Sequence, residues 1–321
     1  MIVMKLNIIF ITLFFVGCSS VPAYIPEKEQ LDLTRLPLPD TSLSIPHLSS
    51  CTDAEDTTIQ IDSTSPLTVL VHGCDSSAGR FRSLAQLYAF HGQQAVCFSY
   101  DDRDSLIDSA EMLASAVNQL SEATNNQKIS IMGHSMGGLI SRKALEDGFK
   151  PSNKLRDNNL ELITISAPLS GIQAADHCGI NALHWLSAGI VPGICWLITG
   201  DNWNEITASS DFIQQPEPLL PSVDRYLKIV TNEKHSCRRS DDQGACIESD
   251  DVFDVSEQYN SKIDSFPNTT GVQVDAGHVE IVGNKDIVPR KLLTVLQDNG
   301  MLAHTPTERK LALEKLLSVL Y

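Results

Sequence analysis

From residue 67 onward, short β-branched runs alternate with stretches whose apolar residues recur every three or four positions. Runs at 68–72, 95–100 and 129–132 predict strands, and the segments between them, 81–90 and 106–120, predict helices. The second helical pattern is the clearest. Leu106, Ala110, Leu113, Val117 and Leu120 fall on one face, and Asp104 is placed to cap the start. The alternation continues with a helix over 136–146 and strands over 160–166, 226–230 and 272–275. It closes with Thr305-Pro306-Thr307-Glu308, the form of a capping box, leading into a helix over 311–320. Strand and helix in strict alternation predict an α/β fold with a mostly parallel central sheet covered on both faces.

Two segments break the pattern. Residues 18–60 are rich in Pro, Ser, Thr and Asp without a sustained period, which predicts a tether ahead of a folded domain over 61–321. A second break, about 169–221, holds Trp185, Trp196 and Trp203 and an apolar run over 180–199 interrupted by Gly189, Pro192 and Gly193. The Pro-Gly break, His184 and the sheet on either side argue against a membrane crossing. An inserted cap over a site is the expectation, its apolar residues suited to a lipid-like substrate; ordinary buried helices are the alternative.

At the N-terminus, one charge at Lys5, an apolar run over 6–16 and Gly17-Cys18-Ser19 have the form of a secretory signal over residues 1–17. Phe15-Val16-Gly17-Cys18 resembles the bacterial lipobox, with Phe15 where an aliphatic residue is usual. That resemblance implies acylation of Cys18, with Ser19 directing the protein to the outer membrane, facing the periplasm or the exterior. A plain cleaved signal and an uncleaved anchor are the other readings. The net charge of −16 excludes nucleic acid as a natural partner and disfavours electrostatic capture by anionic headgroups, so membrane attachment would depend on acyl chains.

An exported chain with eight cysteines is expected to form disulfides. Cys237 and Cys246, flanking a polar loop, are the first expected pair, and Cys178 with Cys195 the second. His235 beside Cys237 lacks a second closely spaced ligand pair, so no metal site and no cofactor are expected.

The chemistry concentrates in Gly133-His134-Ser135-Met136-Gly137, where a predicted strand meets a predicted helix. A serine hydroxyl becomes a nucleophile when a base takes its proton and it stands clear of the backbone. A sharp strand-to-helix turn exposes it, and glycines two before and two after relieve the crowding. The helix start also brings the Met136 amide beside a reacting carbonyl. With this motif in place, the stretch from about 67 to 293 resembles the α/β-hydrolase superfamily, in its lipase and esterase branch. The resemblance assigns the strand end Val71-His72-Gly73, followed by Cys74, to the oxyanion loop, so that the main-chain amides of Cys74 and Met136 would hold the oxyanion. It places the acid in Ser249-Asp250-Asp251-Val252-Phe253, selecting Asp250 with Asp251 as its rival. It places the catalytic histidine at His278, in the order nucleophile, acid, histidine. His134, next to the nucleophile, is expected to face away from it. The implied activity is cleavage of carboxylic esters, of lipid or other apolar acyl substrates. Acyl transfer, thioester cleavage and an inactive surface-binding lipoprotein are the alternatives.

Overall fold

Alternate residues of the apolar strands feed two separate cores, which is why one sheet ends up covered on both sides. The computed structural model describes residues 38–124, 128–173 and 200–321. Its strands are β1 Thr41–Leu43, β2 Leu48–Ser49, β3 Ile59–Ile61, β4 Leu67–Val71, β5 Gln94–Phe98, β6 Ile129–His134, β7 Leu160–Ile165, β8 Val223–Asn232, β9 Cys237–Ser240, β10 Cys246–Ser249 and β11 Thr269–Asp275. Its α-helices are α1 Arg82–Phe90, α2 Leu106–Ala123, α3 Met136–Ala144, α4 Asp211–Gln214, α5 Val255–Gln258, α6 Ser261–Asp264, α7 Arg290–Asp298 and α8 Lys310–Leu320. Seven strands form the central sheet in the order β11-β8-β7-β6-β4-β5-β2. All neighbours pair in parallel except β2, which closes one edge antiparallel to β5.

On β4, Val69 and Val71 join a core with Leu113 and Val117 of α2 and Ile140 of α3. Leu70, pointing the other way, joins Leu84 and Leu87 of α1, Leu292 and Leu296 of α7, and Leu317 of α8. Two-sided burial is the arrangement expected of a parallel sheet whose crossovers are helices. Among the described residues, no helix is long and apolar enough to cross a membrane.

Three local expectations are corrected. The tether expected over 18–60 gives way by residue 38, because β1 pairs with β3, β2 adds to the sheet, and Cys51 is disulfide-bonded to Cys97 on β5. Strands of two and three residues carry too little period to be read from sequence. Helix α2 is capped by Ser105 rather than Asp104: the Ser105 side chain accepts from the amides of Ile107 and Asp108. The terminal capping box does not form, since the Thr305 hydroxyl is engaged by His91 Nε2 at 2.9 Å and Gln297 Nε2 at 3.1 Å. A short 3₁₀ turn, Thr307–Arg309, leads into α8 instead. Helix α7 is an addition that the sequence reading did not contain. Of the expected cap, residues 174–199 and the second expected disulfide lie outside the described residues. The described remainder touches both ends of α3 and the loop before α2: Leu220 N–H donates to the Leu145 carbonyl at 2.9 Å, and Asn202 Nδ2 donates to the Asp102 carbonyl at 2.8 Å and lies 3.8 Å from Met136 Sδ.

Candidate active site

The parallel strands β4, β6, β7, β8 and β11 run in one direction, so the residues that follow them collect along one edge of the sheet. Ser135 follows β6 at φ 55° and ψ −126°, a left-handed backbone that any residue with a Cβ resists, and α3 begins at the next residue. Its amide donates to the Ile165 carbonyl at 2.9 Å, which ties the turn to the neighbouring strand. Packing explains the glycines. A Cβ on Gly133 would lie 2.2 Å from the Gly137 carbonyl oxygen, and one on Gly137 would lie 2.2 Å from that of His72. Both obstructions are backbone, which cannot swing aside. A Cβ on Gly73 would come 2.8 Å from Ser135 Cβ, so the turn after β4 is packed directly on the serine.

The turn after β11 brings His278 to the same edge, buried, with its ring edge-on to Phe253 at 4.9 Å between centroids. His278 Nδ1 lies 2.9 Å from Glu233 Oε1 and 2.9 Å from Ser166 Oγ. Because a carboxylate can only accept, this contact places the proton on Nδ1 and leaves Nε2 as the basic nitrogen. Glu233 is the first carboxylate after β8. It is 1% exposed, and its Oε2 accepts from the amides of Val252 and Phe253 at 2.7 and 2.8 Å. Its Oε1 accepts from the hydroxyls of Ser166 at 2.6 Å and Thr231 at 2.8 Å. Burial pushes the Glu233 carboxyl up, but hydrogen bonds and the charge of a protonated His278 outweigh it and hold the group below the ordinary glutamate value.

Asp250, the expected acid, does not face the imidazole. Its carboxylate is as buried as that of Glu233, at 1% exposed, but it accepts from the amides of Val279 at 3.0 Å and Glu280 at 2.9 Å, and it pairs with Arg238 at 3.1 Å. Its own carbonyl accepts from His278 N at 2.9 Å. Asp250 therefore braces the backbone of the 277–280 turn from beneath, and a Cβ on Gly277 would strike its carboxylate at 2.2 Å. The rival, Asp251, is exposed. The family pattern around Val252-Phe253 points to Asp250, whereas the carboxylate in contact with the imidazole is Glu233, to which that pair contributes its amides. A signal pointing to Glu233 was present in the sequence, since it is the first acid after the strand predicted over 226–230; the structure extends that strand to Asn232, which lies beside Asp275 in the β8–β11 register.

His134, the neighbour of the serine in sequence, packs against the turn that carries His278. Its Nε2 donates to the His278 carbonyl at 2.9 Å, and the two rings lie 4.7 Å apart. Burial, then the proximity of His278, drives its pKa well down, so it is a neutral strut between the serine turn and the histidine turn. His72 is likewise kept neutral. Burial pushes it down to about 4 against the partial support of its bond to the Gly73 carbonyl, and its ring stacks on Tyr100 at 4.3 Å.

Met136 opens α3, so its amide has no acceptor within the helix. Cys74 follows the packed Gly73 and is disulfide-bonded. The expected Cys237–Cys246 bridge is present, joining β9 to β10 beside the Arg238–Asp250 pair. That bridge consumes the thiolate zinc would need beside His235, and among the described residues no three His, Cys, Asp or Glu side chains converge on a metal site.

A doubly covered, mostly parallel sheet with a strained serine on a strand-to-helix turn, and a histidine on the last strand's return, defines the α/β-hydrolase fold. Within it, residues 62–202 match the family described as "Putative serine esterase (DUF676)". The structure is similar to that of the Bacillus licheniformis lipase BlEst2 in its mature form, at 18% identity over 74% of this chain and 93% of the other, with a TM-score of 0.52. The propeptide form of the same lipase matches at 17% identity over 77% of this chain and 52% of that one, with a TM-score of 0.53. A Pyrococcus furiosus esterase, Pf2001, gives 17% identity, 89% and 97% coverage and a TM-score of 0.47. No protein of curated function matches the sequence.

Proposed function

We propose that this protein is a serine hydrolase that cleaves carboxylic esters through an acyl-enzyme. The observation that carries the reading is the convergence, on one sheet edge, of a serine at φ 55° with a buried imidazole held by a carboxylate. Ser135 Oγ attacks the ester carbonyl while His278 Nε2 takes its proton. Glu233 holds the Nδ1 proton in place and stabilises the imidazolium that forms. The main-chain amides of Cys74 and Met136 stabilise the oxyanion, the imidazolium returns its proton to the leaving alcohol, and water releases the acyl group by the same route in reverse. No cofactor takes part.

Lipid or other apolar acyl esters are the substrates best suited to the apolar insertion over 169–221 and to a chain held at a membrane through acylated Cys18, on the outer membrane. A fluorophosphonate probe should label the protein and fail to label Ser135→Ala, whose esterase rate should fall on the order of 10⁶-fold. Retained activity in that variant ends the proposal. Rates on esters of graded acyl length, with and without micelles, test the substrate class. Incorporation of a fatty-acid analogue that persists in Cys18→Ala would refute the anchor.

A further inference from the structure

Ser166 follows β7 with φ 47°, a backbone that glycine takes freely and that a side chain resists. It is fully buried, and its amide is held by the Ile229 carbonyl at 2.9 Å. The side chain kept at this unfavourable position reaches both members of the pair behind the nucleophile: Oγ donates to Glu233 Oε1 at 2.6 Å and lies 2.9 Å from His278 Nδ1. A third contact fixes the hydroxyl itself, since Thr231 Oγ1 sits 2.7 Å from it and Gln258 locks Thr231 through bonds of 2.8 Å to both its amide and its carbonyl. With its proton on Glu233, the Ser166 oxygen is left to accept, and it shares the Nδ1 proton with the carboxylate.

We propose that Ser166 is a positioning residue of this site: its hydroxyl fixes the geometry of the Glu233–His278 pair and, by donating to Glu233, limits how strongly that carboxylate favours a charged imidazole. The inference rests on the serine-hydrolase reading. Other groups facing His278 are the neutral ring of His134, the edge of Phe253, Asp250 beneath its turn with Arg238 on its carboxylate, and Glu280, which accepts from Gly277 N at 2.9 Å. None of these touches Nδ1 among the described contacts.

The direction of the effect follows. Removing the hydroxyl takes a donor from Glu233 and an acceptor from the Nδ1 proton; the bond to the carboxylate is the shorter, 2.6 against 2.9 Å, so the more basic Glu233 sets the direction and His278 should hold its proton to higher pH. Ser166→Gly removes the hydroxyl and relieves the backbone, and Ser166→Ala removes the hydroxyl but keeps the Cβ. In both, the acid limb of kcat/KM on a soluble chromogenic ester should move up by about 0.5 in pH, and kcat should fall roughly tenfold with KM little changed. An NMR titration of the His278 ring should move upward by the same amount, whether or not the protein turns over. A wild-type titration midpoint in folded Ser166→Gly overturns the assignment of Ser166. A protein that neither hydrolyses nor labels, but whose His278 midpoint moves in the variant, overturns the hydrolase reading instead.

Discussion

Replacing Glu233 by glutamine separates the two buried carboxylates near His278. Oε2 of Glu233 accepts from two main-chain amides, Val252 at 2.7 Å and Phe253 at 2.8 Å. In Glu233→Gln those amides demand the remaining oxygen, because an NH₂ group there would meet two N–H donors. The amide nitrogen must then occupy the Oε1 position, facing His278 Nδ1 at 2.9 Å and the Ser166 hydroxyl at 2.6 Å. An N–H facing Nδ1 forces that nitrogen to accept and moves the ring proton to Nε2, the tautomer that cannot deprotonate Ser135. A tautomer error of this kind lowers kcat by about 10⁴, or about 5.5 kcal/mol of transition-state stabilisation. Asp250→Asn, by contrast, can still accept from one of the Val279 and Glu280 amides and loses its pairing with Arg238. It should lower stability by about 1–3 kcal/mol and leave kcat within about tenfold of the parent. Initial rates on p-nitrophenyl butyrate, with near-UV circular dichroism to verify folding, make the comparison. If Asp250→Asn loses more rate than Glu233→Gln while both stay folded, the assignment made from the geometry is wrong.

Stability should fall as pH drops from about 6.5 toward 4. His72 is held neutral by burial, with its pKa pushed down to about 4, so the unfolded chain binds more protons than the folded one throughout that window. The stabilisation is complete above the ordinary value of 6.5 and is lost on acidification, by on the order of 3 kcal/mol for this one group, with buried His134 acting in the same direction. Urea unfolding at several pH values should give a shallower decline in His72→Gln; an unchanged slope would contradict the account. Gly137→Ala places a methyl group 2.2 Å from a main-chain oxygen and should lower unfolding free energy by about 3 kcal/mol or more, read as a drop in the denaturant midpoint, whereas a midpoint equal to the parent's would mean the turn has room.

Much of the local architecture could be read from the chain. The strands at 129–134 and 160–165, helix α2 and the serine turn all announce themselves within a few residues, because side-chain period and glycine spacing are consequences of backbone geometry alone. The Cys237–Cys246 bridge was legible for the same reason: a polar hairpin brings its ends together across a sequence separation of 9. The Cys51–Cys97 bridge was not, since its partners meet only after β2 has added to the sheet edge. Helix α7 was missed although Leu292, Leu293 and Leu296 fall on one buried face, because no cap marks its start.

By itself the sequence determined where a sharp serine turn would form and that His278 would follow a strand, since both lie at the ends of strands whose hydrophobic pattern is self-evident. Which carboxylate meets the imidazole was decided by tertiary structure. The parallel register of β8 with β11 sets Asn232 beside Asp275, and so brings Glu233 and His278 to adjacent turns, while the 250–254 loop folds underneath with its amides turned toward Glu233. Hydrogen-bond pairing between residues dozens of positions apart depends on strand register and rotamer, which the linear order of residues does not encode locally. The same holds for Ser166, an ordinary serine in sequence that the fold turns to φ 47° and places against both Glu233 and His278.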